Sequence, residues 1–203
     1  MLAKYVQKFK HDEDGVAAVE LILSVPILVW ALLSTHVYFD AFKTESLNTR
    51  ANLTIADMFS REGSVNAAFI NGAESLLNVL TSERGNPSLR VTSYYFDDGG
   101  TDNRTDDDRY ILIWSEKRGN YYSPHTNASL AAVSSRLPVM ADNDTSLLVE
   151  THTPYTAPFS IGIGPFVPTN LEGVEFENFT AIRPRFEGEV CFGDGDVNDT
   201  CKP

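Results

Sequence analysis

The stretch 15–39, GVAAVELILSVPILVWALLSTHVYF, is apolar almost throughout and carries one charged residue, Glu20. From Val16 to Phe39 there are 24 residues. At 1.5 Å rise per residue, about 20 apolar residues cross a hydrocarbon core of roughly 30 Å, so the span is long enough. Between Leu21 and Leu33 the one polar residue is Ser24, and a core helix of a soluble protein would show a polar face. A cleaved secretory signal would need small residues at its exit, where this chain has Val37, Tyr38 and Phe39. The stretch therefore predicts a single transmembrane helix over residues 16–39, in contact with the lipid bilayer. No second stretch of this kind follows.

Residues 1–15, MLAKYVQKFKHDEDG, carry Lys4, Lys8 and Lys10, and lysines close to a membrane segment are retained on the cytoplasmic side. The expected topology is a cytoplasmic N-terminus and an exported C-terminal part. Without residues 1–15 the chain holds 13 basic and 25 acidic residues and keeps a net charge of −12. Such a chain lacks the concentrated basic surface that phosphate contacts require, which argues against nucleic acid as a partner.

An ionised carboxylate deep in a bilayer costs roughly 2.5 to 3.5 kcal/mol on insertion scales and normally has a partner. The ordinary reading of Glu20 is a side chain that reaches headgroups at the cytoplasmic edge. Cleavage after Gly15 would supply another answer, because it creates a charged amine on Val16, one helical turn from Glu20.

The run 9–29, FKHDEDGVAAVELILSVPILV, resembles the start of the TadE-like pseudopilins of the tight-adherence, Flp-type pilus machinery. That family pattern has a basic leader ending in Gly, a cut directly after it, a Glu near the start of the apolar run, and commonly a Pro further in. Here these are Gly15, Val16, Glu20 and Pro26. The resemblance implies a minor pseudopilin of a bacterial inner membrane, with its C-terminal domain periplasmic. Its implied partners are a prepilin peptidase, other pilins and pseudopilins, and the inner-membrane assembly platform. Glu20 would pair with the Val16 amine of a neighbouring subunit, a contact that is specific because a register error leaves both charges unpaired. Looser likenesses lie further on, in Tyr155, Pro158 and Phe159 after an apolar strand, and in Arg183-Pro184-Arg185. An unprocessed, single-pass, permanently anchored periplasmic sensor or envelope interaction domain is the alternative.

Beyond Phe39 the helix is expected to continue, with Leu47, Ala51, Ile55, Met58 and Phe59 at helical spacing, and Gly63 as its stop. A second helix capped by Ser64 should carry Phe69, Ala73, Leu76, Leu77 and Leu80, completing a helical region over 40–86. From 87 the texture turns to strands. Residues 89–96 and 109–117 predict a hairpin, 127–137 a short helix, and 145–153 and 176–186 two more strands. The fold class is α+β, pilin-like: a long N-terminal helix, then an exported domain over 87–203 with a small antiparallel sheet and packed helices.

Cys191 and Cys201 are the two cysteines, and an oxidising compartment would join them. Between them Asp194, Asp196 and Asn198 have the alternating spacing of a calcium loop, but Asp199 replaces the turn glycine and no twelfth-position Glu follows. A solvated acidic loop is the competing reading, and no cofactor is expected. His11, His36, His125 and His152 are scattered, and no H-E-x-x-H, G-x-S-x-G or Walker loop occurs, so the chain does not read as an enzyme.

Overall fold

The computed structural model describes residues 16–81, 85–100, 107–162, 171, 173–194 and 199–203. Helix α1 spans Val16–Phe59, 44 residues with Pro26 inside it. It is followed by strand β1 (Ser64–Val65), helix α2 (Ala67–Leu80), β2 (Ser88–Asp97), β3 (Arg109–Arg118), helix α3 (Asn127–Ala132) and a 3-10 turn (Ser134–Arg136). Strands β4 (Thr145–Pro154), β5 (Glu175–Ile182) and β6 (Cys191–Phe192) complete the chain. This is an α+β protein with a long apolar N-terminal helix and a small antiparallel sheet.

Two compact units divide the chain. The first comprises residues 1–41 and 157–170, the second 42–156 and 171–203. In the first unit Leu21, Ile22, Leu23, Ile27, Leu28 and Leu32 of α1 are exposed, pointing to different sides of the helix. The Trp30 indole N–H donates to the Ile161 carbonyl at 2.9 Å, and the His36 ring stacks on Phe159 at 6.1 Å.

In the second unit four strands form an antiparallel sheet in the order β3-β2-β4-β5. Central strand β4 is buried from Thr145 to Thr153, and its alternation sorts two cores. Leu147 and Val149 join Ala51, Ile55 and Phe59 of α1 and Ile70, Ala73 and Leu77 of α2. Leu148 faces the opposite way and joins Tyr94, Leu130, Leu137 and Met140. Period-2 alternation thus seats long helices on one face of the sheet and the short helix on the other.

Four details differ from the sequence expectations. The helix ends at Phe59, before Gly63. Asn66 rather than Ser64 caps α2, its side chain accepting from the Phe69 amide at 2.9 Å. Ser64 is committed instead to β1, which pairs in parallel with β6. The 127–137 helix breaks into α3 and a 3-10 turn, and the strand expected over 176–186 stops at Ile182. Proline at 184 has no N–H to continue a ladder, and both flanking arginines find carboxylates: Arg183 on Asp144 at 2.5 Å and Arg185 on Asp57 at 2.7 Å.

Candidate functional site

The residues expected to be cut and paired stand at the head of α1. Gly15 lies outside the described residues; the helix begins at Val16. Glu20 is exposed one turn on, and its backbone carbonyl accepts a hydrogen bond from the Ser24 hydroxyl. Among the described residues no cation pairs with its carboxylate. Pro26 supplies no amide to the Ile22 carbonyl, so one helical hydrogen bond is missing a turn and a half beyond Glu20. Among the described residues one helix, α1, is long and apolar enough to cross a membrane by length and composition.

Near the C-terminus Cys191 and Cys201 are bonded, with S–S 2.02 Å. The ring they close is fastened to β1: Ser64 Oγ donates to the Gly193 carbonyl and to the Asp199 carboxylate, and the Cys191 amide donates to the Gly63 carbonyl. Of the calcium candidates, Asp194 accepts from the Asn66 amide at 2.7 Å, while Asp196 and Asn198 lie outside the described residues. In the acidic loop after β2, Asp97 is held by Arg109 at 2.8 Å, and the guanidinium keeps that carboxyl below the usual carboxylate range.

Sequence reasoning missed a buried polar cluster on the α3 face of the sheet. Arg90 and Glu150 are cross-strand partners, and the guanidinium grips the carboxylate through two hydrogen bonds of 2.6 and 2.7 Å. His125 Nε2 meets the same carboxylate at 3.0 Å, its Nδ1 meets Ser129 Oγ at 2.8 Å, and Tyr122 lies under the guanidinium at 4.6 Å. Burial raises the Glu150 carboxyl, but hydrogen bonds and charge from His125 and Arg90 outweigh it and leave the group below its ordinary value. Although serine, histidine and glutamate stand in line, the Ser129 hydroxyl is already spent on the backbone of Thr126, accepting from its amide and donating to its carbonyl. The cluster holds the 119–126 segment to the sheet. An Arg and a Glu among apolar strand residues were the available signal, but their 60-residue separation hid the pairing.

Beside it a cleft of about 500 Å³ is lined by Glu74, Asn78, Asn86, Tyr121 and His152 among others. The Tyr121 ring stacks on His152 at 3.4 Å, and neither nitrogen of this buried imidazole makes a hydrogen bond.

Comparison with protein-family models, with curated proteins and with solved structures finds no match to the chain.

Proposed function

We propose that this chain is a minor pseudopilin of a Flp-type, tight-adherence pilus. A prepilin peptidase cuts it between Gly15 and Val16, and the mature helix then takes part in pilus assembly, serving adhesion or secretion. The observation that carries the reading is the succession of Gly15, Val16 and Glu20 at the head of a helix whose apolar side chains are exposed. Exposed leucines over 21–32 have no use in water. In a bilayer they are the anchor, and the N-terminus lies in the cytoplasm of a bacterial inner membrane with the sheet-bearing part outside. Glu20, which pairs with no cation among the described residues, is available to the Val16 amine of the next subunit.

Intact-mass measurement of the membrane form in cells that express the peptidase tests this. The expected mature chain starts at Val16. A chain that keeps Gly15 and the lysines before it sinks the processing claim and leaves a permanently anchored envelope domain.

A further inference from the structure

A helix that enters a bilayer at Val16 has Trp30 about 21 Å along its axis and His36 about 30 Å along it, at 1.5 Å per residue. With a hydrocarbon core of about 30 Å, His36 sits at the far edge and Trp30 about 9 Å inside it. Both residues are engaged by one non-helical segment: Phe159 stacks on His36, and the Ile161 carbonyl takes the Trp30 indole proton at 2.9 Å. Resting on the reading of α1 as a membrane anchor, we infer that residues 157–162 are a second membrane element, dipping into the leaflet remote from Val16 along the face of the helix.

The segment's chemistry fits that depth. Its sequence, APFSIG, has no charge and one hydroxyl, and Pro158 removes an amide donor. Non-helical backbone survives at membrane depth only where protein satisfies it. Here the deepest contact does so, since Ile161 is 4% exposed and its carbonyl is hydrogen-bonded to the anchor helix. On the same face of α1, one and two turns beyond Trp30, Ser34 and Val37 are buried, whereas Leu32 stays 71% exposed. The segment therefore meets α1 on the side of Trp30 and His36, while Leu32 on another side is left to lipid. His36, at the far edge, can turn its polar ring toward headgroups.

Because the two native cysteines are bonded to each other, an added cysteine is the one free thiol of the full-length chain. Ser160→Cys, Leu28→Cys and Ser135→Cys are each labelled with an environment-sensitive nitrobenzoxadiazole. The labelled chains are reconstituted in phosphatidylethanolamine–phosphatidylglycerol vesicles containing nitroxide-bearing lipids. The inference expects quenching at 28 and at 160 severalfold above that at 135, strongest at 160 with the nitroxide placed near the headgroup. Trp30→Phe, which removes the indole donor, should lower quenching at 160 and leave 28 unchanged. Quenching at 28 with 160 no better quenched than 135 overturns the second element while leaving the anchor intact. No quenching at 28 overturns the anchor reading and this inference together.

Discussion

Glu150 shows how a buried charge becomes part of an architecture. Its carboxylate is almost fully buried, and so is most of the Arg90 side chain, so the carboxylate depends on Arg90 and His125, and the guanidinium on Glu150 and the Ser123 carbonyl, for the interactions that water would have supplied. Removing one partner of such a pair leaves an uncompensated charge, at a cost of about 3–5 kcal/mol. Glu150→Ala should therefore lower the denaturation midpoint markedly, and Glu150→Gln less so, because the amide oxygen can still accept from Arg90. The pH dependence has a definite sign. A carboxyl whose folded-state pKa lies below its unfolded value contributes stability above the unfolded value, here near 4.5, and loses that contribution as pH falls through the folded one. Denaturation midpoints measured from neutral pH down into the acid range should fall, and Glu150→Gln should flatten that part of the profile. A wild-type profile no steeper than that of the variant would show that the cluster contributes no such term. None of this was legible in the sequence, where Arg90 and Glu150 are two charges on two strands. Register alone makes them partners.

At the scale of elements, α1 changes character along its length. Up to Leu33 its apolar residues other than Trp30 look outward. From Thr44 a buried stripe runs through Asn48, Ala51, Asn52, Ile55 and Phe59 at helical spacing. Three of these six are polar, which is why the sequence reading, built on Leu47, Ala51, Ile55, Met58 and Phe59, described the stripe only in part. Asn52 is buried because it is satisfied: it donates to the Val149 carbonyl and to Thr151 Oγ1, and accepts from Thr180. The paired strands β1 and β6 are two residues each and depend on the ring that Cys191 and Cys201 close. By the loop-entropy estimate that crosslink is worth about 2–3 kcal/mol. Reduction should free the C-terminal tail and open the β1–β6 pair while the four-stranded sheet persists. Limited proteolysis with and without reductant should accordingly give a new cleavage near Cys191 and a resistant fragment ending before it; global digestion on reduction would show instead that the crosslink holds the entire second unit.

For the whole molecule the proposed function turns on Glu20, which it assigns to assembly rather than folding. Glu20→Ala should fold, insert and be cut like the wild type, since it removes an exposed carboxylate, yet it should fail to enter filaments. Electron microscopy of surface pili beside immunoblots for the processed chain would check both halves, and normal piliation would count against the pairing. The long apolar helix was readable from residues 15–39 because a helix able to span a membrane is specified locally: length and apolarity suffice, and one charge in such a run stands out. The four strands of the sheet were readable too, within one residue of their ends except where Ile182 closes the last of them four residues short of 186, because alternation and turn residues are local signals. Tertiary structure alone decided the sheet order, the pairing of Arg90 with Glu150, the use of Ser64 as a strand residue and the seat of 157–162 against Trp30. Each of these joins residues far apart in the chain, and partners at such separations are chosen by packing and hydrogen-bond satisfaction once the chain is folded, which no local pattern encodes.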